Sequence, residues 1–448
     1  MLSLCNSIVD NRDIDKSQKE WGKYMVILGL GSNVGDRLAN LRKGLNLIRA
    51  IPQTSVAQVS PIYISDALLP ENAPTHWDNR PYLNAALRCD TKLEPYEFLK
   101  IIKNIEIAVG RKPDSDWAPR PLDIDILAWD DLVQYDKLLH IPHEHLLTRP
   151  FALWPLADVA PNWIHPRGDR AAKMAQDLKS KPDPLNTKQI PHRIDTAQLV
   201  GTINLAPDSF SDGGQTVTFE KIKKLADAGA DVIDIGAEAT NPNAKPITPE
   251  EEWRRLEPFL SNLKSIPAKI SLDTRNAKTA EKALALGIDW INDVSGLTNP
   301  AMQELIRAHT CDVVMMHHVT IPASKDHVLP EDQDVVKLVY QWGEQQLEKL
   351  NIPRERIIFD VGIGFGKTAQ QSLDLLKNIE VFKSLGCRLL VGHSRKSFLE
   401  LFTQKPPQER DLETVLFSLH LNQKGVDYLR VHDVDYHARA FRAFSLAS

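Results

Sequence analysis

Two periodicities divide the chain. Between residues 24 and 165, apolar and polar positions alternate in short runs. This predicts strands at "YMVILGLGS", "TSVAQVSPIYIS", "YLNAALRCDT" and "LDIDILAW". Apolar spacing of three and four predicts helices over "RLANLRKGLNLIRA" and "LEPYEFLKIIKNIEIAVG", with Pro95 suited to a first helical turn. The order β-α-β-β-α-β is that of a ferredoxin-like α+β sheet. A hairpin in "LVQYDKLLHIP" and a helix in "RPFALWPLADVA" are expected to follow.

From Trp163 the pattern fades. Residues 166–195 carry Pro166, Pro182, Pro184 and Pro191, many charges and little apolar periodicity. One short helix near 170–179 fits, and the rest reads as linker. Beyond it, strand-like runs recur at "QLVGTINL", "ADVIDIGA", "AKISLDT", "DWINDVSG", "CDVVMMHH", "RIIFDVG", "RLLVGHS" and "VDYLRVHD", nearly all separated by amphipathic helical stretches. Eight parallel strands over residues 196–448 predict a TIM (β/α)8 barrel. Polar residues stand where the strands end: Asn204, Glu238, Asp273, Asn292, His317, Asp360, Ser394 and Arg430. Active sites of this fold form at that rim. The expected organisation is an N-terminal extension over 1–23, a domain over 24–165, a linker over 166–195 and the barrel over 196–448.

Composition narrows the function. A net charge of −5 over 448 residues argues against a general nucleic-acid binder. No apolar run reaches the ~18 residues of a membrane span, and residues 1–24 are too polar for a signal peptide. The four scattered cysteines suggest neither a zinc site nor a disulfide framework. A cytoplasmic protein is the expectation.

Candidate chemistry starts with "LDIDI". A strand turns alternate side chains to one face, so Asp123 and Asp125 share a face opposite Leu122, Ile124 and Ile126. Neighbouring like charges need compensation. Two magnesium ions carrying ATP phosphates would supply it; so would ion pairs with Arg111 and Arg120 on a surface strand. Two other motifs fail. "GLGSNVG" (residues 29–35) has Val34 where a dinucleotide loop needs its last glycine, and it reads as a tight turn. "VGIGFGKT" (residues 361–368) has Val361 where a phosphate loop needs glycine. Its glycines suit close approach to a flat ligand, with Phe365 available to stack.

The stretch "GR…WAPRPLDIDI", with "GLGSN", "PYLNAA", "IPH" and "RPFALWPL", resembles the 6-hydroxymethyl-7,8-dihydropterin pyrophosphokinases over residues 24–166. The resemblance implies magnesium ions on Asp123 and Asp125. It implies ATP phosphates on Arg111, Arg120, His143 and Arg149, with Trp117 on a closing loop. Tyr82 and Phe151 would sandwich the pterin, Asn84 would hydrogen-bond it, and Glu106 would support the site. The family's usual arginine, glycine and tyrosine are replaced by Pro113, Ala118 and Glu144.

The barrel resembles the dihydropteroate synthases through "NLAPDSFSDGG", "GADVIDIGAEATNPNA", "FDVGIGFGK", "GHSRKSF" and "RVHD". The implied reaction joins the pterin pyrophosphate to 4-aminobenzoate and releases pyrophosphate. Asp273, Asp360 and Asn292 would hold the pterin edge, and Lys396 its carbonyl. Arg430 and His432 would form the pyrophosphate site, Asn204 would bind its magnesium, and Ser397 would meet the aminobenzoate carboxylate. Phe210, Ser211, Asp212, Thr240 and Pro242 would lie on closing loops, where Ala206 and Asn241 replace the usual threonine and arginine. Met316 and His317 read as pocket lining, or His317 as a satisfied core histidine. A bifunctional folate enzyme is the reading, and a homodimer through the barrel is compatible with it. Two alternatives remain: a pterin-binding methyltransferase barrel, which would need no "SFSDGG" loop, and a degenerate pterin-binding scaffold.

Overall fold

The first sheet forms where alternation predicts it. Strand β1 (Tyr24–Ser32) leads to helix α1 (Arg37–Arg49), capped by Asp36, whose carboxylate accepts the Ala39 N–H at 3.0 Å. "GLGSN" is therefore mostly strand, and the chain turns only after Ser32, with Gly35 at φ 67°. "TSVAQVSPIYIS" is two strands, not the single one expected: β2 (Thr54–Val59) and β3 (Pro61–Ser65). The break falls at Ser60, whose hydroxyl takes the Ala86 N–H at 2.8 Å, next to Pro61, which has no N–H for a ladder. Then follow β4 (Tyr82–Thr91), α2 (Pro95–Val109), β5 (Asp123–Trp129), a hairpin of β6 (Gln134–Tyr135) and β7 (His140–Ile141), and α3 (Pro150–Val159).

The strand order β5-β1-β4-β3 is ferredoxin-like. Helices α1 and α2 bury Leu41, Leu45, Phe98 and Ile102 against Leu28, Leu30, Ile124 and Ile126 of one sheet face. Helix α3 covers part of the other face, against Ile27, Tyr63, Ala86 and Leu127. Asp123 and Asp125 point to this second face.

Residues 166–195 are more than a linker. Helix α4 (Ala171–Lys179) lies where expected and packs Ala171 and Ala175 into the α3 core. Strand β8 (Lys188–Arg193) was not expected; it pairs antiparallel with β3 and adds an edge to the sheet. Its sequence "KQIPHR" lacks alternation and contains proline, which only an edge strand tolerates. Contacts divide the chain into Met1–Asp195 and Thr196–Ser448. The computed structural model describes residues 24–68, 80–111, 118–205, 219–238, 246–260, 263, 266–324 and 326–447.

In the second unit eight parallel strands close a barrel. They are β9 (Gln198–Asn204), β10 (Val232–Gly236), β11 (Lys269–Asp273), β12 (Trp290–Asp293), β13 (Asp312–Met316), β14 (Ile357–Asp360), β15 (Arg388–Val391) and β16 (Tyr428–Val431). The helices are α5 (Phe219–Asp227), α6 (Pro249–Leu260), α7 (Ala277–Ala285), α8 (Pro300–Ala308), α9 (Val335–Leu350), α10 (Ala369–Lys377), α11 (Asp411–Gln423) and α12 (Val434–Ala447). Inside, Val200, Val232, Trp290, Val314, Ile358, Leu390 and Tyr428 form an apolar plug. Two residues further along the same strands stand Asp234, Asn292, Met316, Asp360 and Arg430. The barrel thus has a dry plug below a polar floor. Among the described residues, no helix is long and apolar enough to cross a membrane.

Because contacts close within each unit, residues 196–448 expressed alone should melt in one cooperative transition. Circular dichroism against temperature checks this. A barrel that stays insoluble unless the first unit is attached would refute its autonomy.

Candidate active sites

The first cluster lies on the α3 side of the sheet. Register places Asp125 beside Gly29 and Asp123 beside Gly31 on β1, with Asn84 of β4 across from Gly31. A Cβ at Gly31 would meet Asn84 Oδ1 at 3.4 Å and the Tyr82 ring at 3.5 Å, so the glycine keeps this face open. A cavity of about 310 Å³ results. Its lining includes Tyr82, Asn84, Arg111, Arg120, Asp123, Asp125, His143, Arg149 and Phe151, brought together from two strands, a helix and the loops between.

The two aspartates differ. Asp123 Oδ1 accepts from Arg111 Nη1 at 2.9 Å and Arg120 Nη1 at 3.0 Å. Burial alone would raise its pKa, but Arg120, Lys103 and Arg111 outweigh it and hold the carboxyl below the usual range. The Asp125 side chain is 39% exposed in the cavity and faces His143 Nε2 at 3.9 Å, too far for a hydrogen bond. Burial and then the Asp123 charge push its pKa up. Glu106, buried on α2, accepts from Lys103 at 2.8 Å, Arg111 at 2.7 Å and the Ile124 N–H at 2.7 Å. It ties both cations to the start of β5.

The backbone of Arg120 is fixed by a residue to which the sequence reading gave no role. Asn33 Oδ1 accepts the Arg120 N–H at 2.9 Å, and the Asn33 N–H donates to the Arg120 carbonyl at 3.3 Å. Arg120 Nε reaches the Ala118 carbonyl at 3.2 Å, a bond that alanine serves as well as glycine. Glu144, in the place of the family's tyrosine, is 61% exposed and pairs with His140 at 3.4 Å. Trp117 and Pro113 lie outside the described residues.

The second cluster is the barrel floor. Arg430 Nε donates to Asp234 Oδ2 at 2.7 Å and Nη2 to Asp273 Oδ2 at 3.0 Å, while Asn292 Nδ2 donates to Asp234 Oδ2 at 3.0 Å. Burial, then the Asp234 charge, raises Asp273 to about 7 against the pull of Arg430. Asp360 accepts the Gly362 N–H at 2.8 Å, and burial raises its pKa. Asp234 had no assigned role, although a carboxylate inside the apolar run "VIDIG" is the same signal that singles out "LDIDI".

Above the floor lies the loop "VGIGFGK". Gly362, Gly364 and Gly366 all have positive φ, and a Cβ on Gly362 would stand 1.8 Å from the His317 carbonyl oxygen. Lys396 Nζ donates to the Ile363 carbonyl at 2.5 Å and lies 4.6 Å from the centre of the Phe365 ring; burial lowers its pKa to about 8. Lys367 is buried, with Nζ 2.8 Å from His317 Nδ1 and 3.0 Å from the Phe365 carbonyl. His317 also packs edge-on against Trp342 at 4.9 Å, so it is a satisfied buried histidine rather than an open pocket wall. Met316 is buried at the end of β13.

His432 differs from a charged anion ligand. Ser394 Oγ accepts the His432 backbone N–H at 3.3 Å and lies 2.9 Å from Nδ1, where either group can donate. Burial and the nearby Arg395 lower the imidazole to about 4, which favours its neutral form. Ser397 begins a short 3-10 helix, Ser397–Leu401, not an α-helix. Asn204 ends β9 on the exposed rim. Phe210, Ser211, Asp212, Thr240, Pro242, Ala206 and Asn241 lie outside the described residues.

Known proteins match both units. The family described as 7,8-dihydro-6-hydroxymethylpterin-pyrophosphokinase matches residues 27–161, and that described as pterin binding enzyme matches 200–432. The folate synthesis bifunctional protein of Chlamydia caviae is 37% identical over 93% of this chain and 97% of its own length. The mitochondrial one of Arabidopsis thaliana is 33% identical over 98% of this chain and 86% of its own. Among solved structures, dihydropteroate synthase from Anaplasma phagocytophilum with bound 6-hydroxymethylpterin-monophosphate is 38% identical, covers 56% of this chain and all of its own, with a TM-score of 0.52. The Thermus thermophilus enzyme in complex with 4-aminobenzoate is 36% identical, covers 56% of this chain and 95% of its own, with a TM-score of 0.51. The chain belongs to the bifunctional folate synthesis proteins, which pyrophosphorylate 6-hydroxymethyl-7,8-dihydropterin with ATP and then condense the product with 4-aminobenzoate to 7,8-dihydropteroate.

Proposed function

We propose that the cavity around Asp125 carries the pyrophosphokinase reaction and the barrel floor carries the synthase reaction. In the cavity, Tyr82 and Phe151 sandwich the pterin and Asn84 hydrogen-bonds its edge. The ATP phosphates lie along Arg111, Arg120, His143 and Arg149. Glu106 acts through Arg111 and Lys103, which it positions.

Asp123 and Asp125 hold magnesium. The donor set fits, because magnesium is commonly bound by one or two carboxylates together with substrate phosphates. The charge balance calls for the ion too. Lys103, Arg111, Arg120 and Arg149 oppose Asp66, Glu106, Asp123 and Asp125, so these side chains leave no net positive charge to neutralise a triphosphate. When bound, the ion shields phosphate charge during transfer. The observation that carries the reading is Asp125, a carboxylate beside a like charge, left open to the cavity with no arginine ion pair among the described residues.

In the barrel, Asp273, Asp360 and Asn292 take the pterin edge and Lys396 its carbonyl. The aniline nitrogen attacks the methylene carbon, the carbon–oxygen bond to pyrophosphate breaks, and the nitrogen loses a proton. Arg430, with two nitrogens committed to Asp234 and Asp273, presents Nη1 to the leaving group. His432 completes the pyrophosphate site as a neutral imidazole, Asn204 binds the associated magnesium, and Ser397 meets the aminobenzoate carboxylate. Unpaired Cys89, Cys311 and Cys387 suit the reducing cytoplasm.

Asp125→Ala tests the first site. It removes a metal ligand and relieves a like-charge contact, so Tm should hold or rise. Pyrophosphokinase kcat/KM should fall ~10³-fold or more, about 4 kcal/mol of transition-state stabilisation. Turnover of supplied pterin pyrophosphate by the barrel should not change. Near-normal kinase activity would reduce the acid pair to a solvated strand feature.

The second site predicts a pH dependence. Pterin N–H groups donate to the ionised Asp273, whose pKa in the free site is raised to about 7. Ligand binding therefore lowers that pKa and releases a proton. Affinity should rise with pH up to about 7, level off above it, and fall roughly tenfold per unit below. The KM for pterin pyrophosphate between pH 5.5 and 8.5 reads this, with Asp273→Asn, which cannot ionise, as reference. Parallel profiles for both proteins would remove Asp273 from pterin binding.

A further inference from the structure

The family matches end at residue 161 and resume at 200, so the stretch between belongs to neither. It nevertheless builds part of the first cavity. Asp66, the first residue past β3, lines that cavity with Ser65 and Leu68. The Asp66 N–H donates to the Leu185 carbonyl at 2.8 Å, and Asn186 Nδ2 donates to Asp66 Oδ2 at 2.6 Å. The turn presenting these groups is itself fixed. Asp183 accepts from the N–H groups of Leu185, at 3.0 Å, and Thr187, and Asn186 takes the left-handed conformation at φ 48°. From there β8 runs along β3, pairing Lys188 with Ile64, Gln189 with Tyr63 and Ile190 with Ile62. Arg42 Nε holds the Ile194 carbonyl at 3.3 Å at the far end.

The bonds continue into the site. Buried Ser65 ends β3, and its hydroxyl accepts from Asn84 Nδ2 at 3.0 Å. Without β8, β3 would be a sheet edge, and edge-strand ends open at low free-energy cost. A wall that must be ordered on binding subtracts that cost from affinity.

We propose that residues 183–193 are a working part of the first active site and that Asn186 is a positioning residue, fixing the wall at residues 66–68 against which the pterin is seated. This rests on the seating of pterin in that cavity. The test uses the full chain. Asn186→Gly keeps the left-handed backbone and removes the amide; Asn186→Asp sets a carboxylate against Asp66. The first should raise the KM for 6-hydroxymethyl-7,8-dihydropterin about fivefold, the worth of one hydrogen bond, and the second further. The KM for ATP and synthase turnover should stay within about twofold, a margin well below one hydrogen bond. Asn84→Ala is the control for pterin seating. If it raises the pterin KM and both Asn186 variants do not, the positioning role is overturned and the seating stands. If it leaves the pterin KM unchanged, the seating fails and this inference with it. Equal rises in both KM values, or a Tm loss of more than ~5 °C, would make the segment mere packing and overturn the proposal.

Discussion

Carboxylates held where water is scarce need cations, and both sites are organised around that need. In the first, Arg111 and Arg120 converge on Asp123 and leave Asp125 to the cavity. In the second, one guanidinium, Arg430, spans Asp234 and Asp273. Each arrangement is incomplete in the same sense: one carboxylate has its pKa raised by burial and a like neighbour. A ligand that brings positive charge or N–H donors relieves that cost, so part of the binding energy is prepaid in how these carboxylates are held.

The two folds meet this need differently because one sheet is open and the other closed. The open sheet has β5 at one edge and β8 at the other. The first edge carries the acid pair, and the second braces β3 beside the cavity. A barrel has no edges, so its chemistry rises along the strand interiors. The plug of Val200, Trp290, Ile358 and Tyr428 excludes water from below, and the polar floor sits directly on it. Buried charge there costs more and orients more strongly than at an exposed edge.

Replacements within family motifs are absorbed where the contact uses backbone. Ala118 still offers its carbonyl to Arg120, and Glu144 turns out to solvent. The glycines of "VGIGFGK" are less replaceable, since Gly362 passes against the His317 carbonyl at a distance no Cβ allows.

Much of this was legible in the sequence because periodicity is local. Alternation fixes which face Asp123 shares with Asp125, and eight strand–helix repeats fix a barrel whose polar residues gather at one rim. What stayed hidden is long-range. β8 has no pattern of its own and is a strand only because β3 offers it an edge. Asn33 gains a role when folding brings Arg120 to it across 87 positions, and Asp234 when Arg430 arrives across 196. Ser394 meets His432 the same way, and burial with the nearby Arg395 holds the imidazole pKa down. Residue type and spacing determine which groups are available. Partner, exposure and charge state depend on which distant segment closes against them, and that only tertiary packing decides.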